Sequence, residues 1–85
     1  MISEKEAVDK ADEYLLLYIG NLVSSGIPLF NKKERTWIVP IIRISSEKTN
    51  VLDKIKISEN GQIIYAPSRE KLIGLAKEMA KTLTH

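Results

Sequence analysis

The chain contains no cysteine. Neither a disulfide framework nor a thiolate metal site can therefore hold it together. His85 is the only histidine. With no second imidazole and no thiol, a zinc or transition-metal site lacks its usual ligands. A Ser-His or Cys-His nucleophile pair likewise lacks its base. His85 itself reads as a frayed tail residue rather than a functional group. The four glycines are scattered and form no phosphate-cradling loop. Arginine is scarce: Arg35, Arg43 and Arg69 stand against ten lysines, and the net charge is +2. Bidentate phosphate and guanine contacts favour arginine, so this balance does not point to nucleic acid. The longest uncharged run, Tyr14 to Phe30, is interrupted by Gly20, Asn21, Ser24, Ser25, Gly26 and Pro28. It does not read as a membrane span. Met1-Ile2-Ser3-Glu4-Lys5-Glu6 is acidic and lacks the basic start and apolar core of a secretion signal, so a cytoplasmic protein is expected. Carboxylates such as Glu6, Asp9, Glu13, Glu70 and Glu78 fall on polar helix faces or in turns, and no two share an apolar setting that would split their pKa values. These absences together predict no enzyme, no metal and no cofactor.

What is present is an ordinary globular composition of 85 residues, 44% apolar and 28% charged. That suits one domain spanning residues 1–85. A chain this short buries roughly 60–65% of its unfolded surface, so its stability margin is thin. A partner chain covering a second apolar face is the usual remedy where no disulfide or metal is at hand. Abundant isoleucine and lysine point to an AT-rich or thermophilic prokaryotic source.

The pattern predicts a helix, a four-strand meander and a second helix. Ser3 with Glu6 is a capping-box signature. Val8, Ala11, Leu15, Tyr18, Ile19 and Leu22 then recur at helical spacing, flanked by Ala7, Tyr14 and Val23. Gly20 falls inside this helix, which Ser25-Gly26 and Pro28 are expected to close. Ile27–Phe30 reads as a short first strand, Asn31–Arg35 as a polar turn, and Thr36–Ser45 as a long strand. Glu47-Lys48-Thr49-Asn50 turns the chain into Val51–Ser58. Asn60-Gly61 then predicts a two-residue type I′ hairpin into Gln62–Ala66. Pro67-Ser68 opens the last helix, with Glu70 in its first turn and Leu72, Ala76, Met79, Ala80 and Leu83 as its apolar stripe. The fold class is α+β: an N-terminal helix, a four-stranded antiparallel meander and a C-terminal helix, both helices on one sheet face.

A two-residue loop pairs Ser58 with Ile63, Ile57 with Ile64 and Lys56 with Tyr65. Ile55, Ile57, Ile64 and Ala66 then share one face, and Lys54, Lys56, Ile63 and Tyr65 the other. In the long strand, Arg43 resists burial, so Trp37, Val39 and Ile41 are assigned with it to the lysine-tyrosine face. The expected interaction surface is therefore Trp37, Val39, Ile41, Arg43, Lys54, Lys56, Ile63 and Tyr65, left open because both helices cover the isoleucine-rich side. Pro40 cannot donate to a ladder and needs a free or bulged side. The function expected is a small non-catalytic interaction or regulatory module, homodimeric through this face or an edge, or bound there to another protein. The alternative is nucleic-acid binding, with Trp37 and Tyr65 stacking on bases while Arg43, Lys54 and Lys56 hold phosphates. The helix-sheet-helix order also resembles double-stranded-RNA-binding domains, but Ser68-Arg69-Glu70-Lys71 lacks their lysine cluster before the last helix.

The N-terminal amphipathic helix, Trp37-x-Val39-x-Ile41, Ile55-x-Ile57 and Asn60-Gly61-x-Ile63 together resemble the PepSY-type small domain over residues 7–65. That family shows a W-x-V pattern followed by a V-x-V-D-x-x-x-G-x-V hairpin. Here Ser58 replaces the acidic residue, the approach to Gly61 is one residue shorter, and a second helix follows. The family is often extracytoplasmic and associated with restraining peptidases. The resemblance implies a non-catalytic binding module and transfers no active residues.

Overall fold

Ser3 caps the first helix as the sequence predicts: its hydroxyl accepts from the Glu6 amide at 3.1 Å and reaches the Glu6 carboxylate at 3.3 Å. The computed structural model describes residues 1–20, 23–44 and 49–75. Helix α1 spans Glu4–Tyr18 and buries Ala7, Ala11 and Leu15, with Ile19 next on the same stripe. It ends earlier than expected. The amides of Ile19 and Gly20 both donate to the Leu15 carbonyl, and Gly20 takes φ +95°. A left-handed residue after the last turn satisfies orphan carbonyls and is inexpensive only for glycine. Gly20 is thus the terminator, not an interior residue, and Gly26 does other work.

Freed from the helix, Ser24–Ser25 forms a short strand β1, so among the described residues the sheet has five strands rather than four. The others are β2 (Leu29–Asn31), β3 (Thr36–Ile44), β4 (Thr49–Ser58) and β5 (Ile63–Tyr65). All pairings are antiparallel, in the order β1-β3-β4-β5, with β2 beside β1 along the same edge of β3. Pro40 sits where that edge is interrupted between β1 and β2, so its missing N–H breaks no ladder bond. Gly26 closes the gap, donating to the Pro40 carbonyl at 2.8 Å, and a Cβ there would lie 3.1 Å from Pro40 Cγ. Asn31 organises the β2–β3 turn by accepting from the Lys33 and Glu34 amides. Residues 69–75 form a second helix, α2, capped by the Ser68 hydroxyl accepting from the Lys71 amide. The stripe positions Ala76, Met79, Ala80 and Leu83, the residues Lys77 and Lys81, and His85 lie outside the described residues, as does the Glu47-Lys48 turn.

One register and one face assignment differ from expectation. At the β4–β5 turn the Gly61 amide donates to the Ser58 carbonyl, and the Ser58 amide to the Gln62 carbonyl. Gly61 has φ +92°, whereas Asn60 is not among the residues with positive φ. This is a three-residue loop, a tight turn followed by one left-handed glycine, not the two-residue type I′ hairpin. Ile63 therefore pairs with Ile57, and an irregularity at Ile64 restores the expected Lys56–Tyr65 pairing.

The second difference decides which face is core. Trp37 pairs with Ile57 and Val39 with Ile55, so the tryptophan and isoleucine sets share one face. Val39, Ile41, Ile55 and Ile57 are each 0% exposed and Trp37 is 9% exposed. They form a single cluster with Ala7, Ala11, Leu15, Ile19 and Val23, which Leu72 of α2 joins. Phe30 packs edge-on to Trp37 with ring centroids 5.1 Å apart. The assignment of Trp37, Val39 and Ile41 to an open face is thus overturned. Arg43, whose charge motivated it, is half-buried near the far end of β3, opposite Asn50, where a long side chain need not enter the core.

Candidate interaction surface

Alternation along β3 sends Ile38, Pro40 and Ile42 away from the helices, opposite to buried Trp37, Val39 and Ile41. Cross-strand pairing extends that outer face. Leu29 stands beside Ile38 on β2, and Val51 beside Ile42 on β4. Leu29 is 69% exposed and Val51 65%, while Ile38, Pro40 and Ile42 are half-buried among their neighbours. Lys54 and Lys56, opposite Pro40 and Ile38, border the face. Lys56 meets Glu34 at 3.3 Å, and Lys54 is exposed. An apolar surface spread across three adjacent strands is unusual for a monomer of this size. The face expected to be open is core, and among the described residues the outer face is built from the other half of β3.

Six of the eight expected site residues fall into three groups. Trp37, Val39 and Ile41 are core. Lys54 and Lys56 lie opposite Pro40 and Ile38 on the outer face, not beside Trp37, Val39 and Ile41. Ile63 lies on the helix side, where it lines an open groove of about 360 Å³ with Lys10, Glu13, Tyr14, Leu17, Tyr18 and Gly61. Tyr14 anchors that groove by donating to the Pro67 carbonyl at 2.9 Å and packs against Tyr18 at 4.9 Å. Leu29, Ile38, Pro40, Ile42 and Val51 were missed. Their alternation was visible, but the β3–β4 register that pairs it with the lysines was not.

Tyr65 takes part in a polar cluster at the edge of β4 instead of offering a free ring. Its hydroxyl donates to Asp53 Oδ2 at 3.1 Å, and Lys71 Nζ reaches both that oxygen (3.0 Å) and the hydroxyl (3.2 Å). The Lys71 ammonium also lies 5.9 Å from the Tyr65 ring centre. Burial pushes the Asp53 carboxyl up, but hydrogen bonds from Lys71, the Lys54 amide and Tyr65 outweigh it and leave the group below its ordinary value. Lys71 is raised by its hydrogen bonds to Asp53 and Tyr65. A nucleophilic or basic lysine needs the opposite shift. The cluster is a clasp that ties α2 to the sheet.

Base stacking requires an exposed aromatic face, and the Trp37 ring is occupied by the core. Among the described residues no group of three His, Asp or Glu side chains could hold a metal ion, and no helix is long and apolar enough to cross a membrane. Comparison with protein-family models, with curated proteins and with solved structures finds no match.

Proposed function

We propose that this chain is a small non-catalytic protein-interaction module that receives its partner on the outer sheet face. The observation supporting this reading is one surface: Leu29, Ile38, Pro40, Ile42 and Val51 lie contiguous on the side opposite the buried residues of α1 and α2. A domain of 85 residues has little stability to spare, and apolar area left in water contributes nothing to it. The PepSY-like pattern agrees with a binding module, although its W-x-V positions are core here and bear on packing, not on the docking surface.

The test is dye binding in dilute solution. An apolar dye such as anilinonaphthalene sulfonate should bind the native protein at sub-micromolar protein concentration. Leu29→Lys and Val51→Lys should each lower that signal severalfold while leaving the far-ultraviolet circular dichroism unchanged. Both positions are exposed, so the variants fold. Absence of dye binding, or binding indifferent to both substitutions, would overturn the reading. A labelled mixed RNA and DNA pool should not bind more tightly than about 10 μM at physiological salt. A tighter complex weakened by Lys54→Ala and Lys56→Ala would replace this reading with nucleic-acid recognition.

A further inference from the structure

We propose that Asn60 is a site of spontaneous covalent modification, at which the Gly61 backbone nitrogen displaces ammonia from the Asn60 side chain. Asparagine is thermolabile where such an attack is open to it. Asn60 precedes Gly61, whereas Asn21, Asn31 and Asn50 precede Leu22, Lys32 and Val51, residues whose side chains crowd the same approach.

The turn presents both reacting groups. Asn60 is exposed, and its side-chain amide has no hydrogen-bond partner among the described residues. Asn31, by contrast, is held in place by accepting from the Lys33 and Glu34 amides at 3.0 and 3.1 Å. Gly61 takes φ +92° and leaves its nitrogen unscreened by a side chain. One hydrogen bond restrains the attack: the Gly61 amide donates to the Ser58 carbonyl at 2.9 Å. While that bond holds, the nitrogen stays in the turn and keeps its proton. It sits at the end of the last strand in the sheet order, and β5 joins β4 at only two ladder positions, Ile63 and Tyr65. Local opening there does not require the core to unfold. A single hydrogen bond corresponds to a slowing of severalfold, up to about tenfold.

In the reaction, hydroxide removes the Gly61 amide proton and the nitrogen attacks Asn60 Cγ. The bond from Cγ to the side-chain nitrogen breaks, and ammonia leaves with a proton from water. Water then opens the cyclic imide at either carbonyl, giving an aspartyl or an isoaspartyl residue, with no redox change. The aspartyl product keeps the main chain as it was. The isoaspartyl product routes the main chain through the former side chain and adds one carbon to the loop. Ser58 closes that loop twice, accepting from Gly61 and donating to the Gln62 carbonyl at 2.7 Å. A longer loop cannot keep both bonds with Ile63 opposite Ile57. Tyr65, two residues beyond Ile63, carries the disturbance into its contacts with Asp53 and Lys71.

The test follows the full chain in buffer by ion-exchange chromatography, with each new acidic species mapped by peptide mass spectrometry. Residue 60 should convert before the other asparagines, at a rate that rises with hydroxide. A methyltransferase specific for isoaspartyl carboxylates should label part of the product. The chain unfolded in guanidinium chloride should convert severalfold, up to about tenfold, faster. Asn60→Ser should remove the reaction in both states. The purified isoaspartyl form should unfold at a lower urea concentration than the wild type, whereas Asn60→Asp should match it. No conversion at residue 60 in the folded chain, under conditions that convert the unfolded chain fully, would overturn the proposal. Earlier conversion at another asparagine would do the same. Equal rates in the two states would overturn the restraint by Ser58, and an Asn60→Asp variant as unstable as the isoaspartyl form would overturn the loop-lengthening argument.

Discussion

Ile41 and Ile42 are adjacent in sequence and point to opposite sides of the sheet, so truncating each in turn tests the face assignment with the chemistry held constant. Ile41 is 0% exposed, whereas Ile42 is half-buried on the outer face. Isoleucine to alanine removes three carbons, a transfer loss of about 2.4 kcal/mol at ~0.8 kcal/mol for each. At Ile41 the surrounding Val39, Ile55 and α1 side chains cannot fully collapse, so a cavity term raises the expected loss to about 3–4 kcal/mol. At Ile42 roughly half the transfer loss applies and no closed cavity forms, leaving about 1 kcal/mol. The total stability of an 85-residue domain is roughly 4–13 kcal/mol, so both variants remain measurable unless the margin is at its lower end. Urea denaturation followed by Trp37 emission reports both values. If Ile42→Ala costs as much as Ile41→Ala or more, the outer face is the real core and the proposed interaction surface disappears with it.

Other expectations follow from single observations. Gly61→Ala should cost about 1–2 kcal/mol because φ +92° strains any side chain, while Asn60→Ala should cost under ~0.5 kcal/mol, a near-neutral value that type I′ geometry, with positive φ at both positions, would not give; urea midpoints decide it. Gly20→Ala, in open space at φ +95°, isolates the backbone strain alone and should cost about 1 kcal/mol by the same measurement. Asp53 is depressed below its ordinary 3.8, so the clasp stabilises the fold above about pH 4, and that contribution is lost as pH falls through the depressed value. Lys71 is raised above 10.5, so its share is present below that pH and lost only as the solution passes the raised value. The stability gap between wild type and Asp53→Asn should therefore be constant from pH 5 to 9 and shrink below pH 4; a gap independent of pH throughout would refute the ion pair.

Most elements were legible because each rests on a local rule. Ser3 with Glu6 marked the helix start, Pro67-Ser68 marked the second, and the isoleucine alternation marked β3 and β4. That β3 carries apolar residues on both faces was legible as well, but which of them the helices cover was not. The helix end was not, because Gly20 and Gly26 are both plausible terminators and local rules do not choose between them. Gly20 wins by taking a left-handed φ directly after Ile19. The two serines released by that choice then formed the unforeseen strand β1, whose Ser25 hydroxyl donates to Asp12 at 2.5 Å.

The identity of the exposed face hangs on Leu52. Ile44 pairs with Thr49, Arg43 with Asn50 and Ile42 with Val51; continuing that ladder unbroken would set Ile41 opposite Leu52, and Trp37 opposite Lys56. Instead Ile41 pairs with Asp53, and Leu52 has no partner across the ladder. One extra residue reverses which side chains share a face, because the strand period is two. Beyond the irregularity Trp37 and Val39 join Ile57 and Ile55 against α1, while Pro40 and Ile38 join the lysines. Leu52 itself packs against the core, which gives the extra residue a place to bury its side chain and holds the irregularity at that position. The same residue turns the neighbouring Asp53 so that its carboxylate accepts from the Lys54 amide and meets Tyr65 and Lys71 at the strand edge. Alternation alone shows that β3 has two apolar faces; a single unpaired leucine determines which one the helices cover.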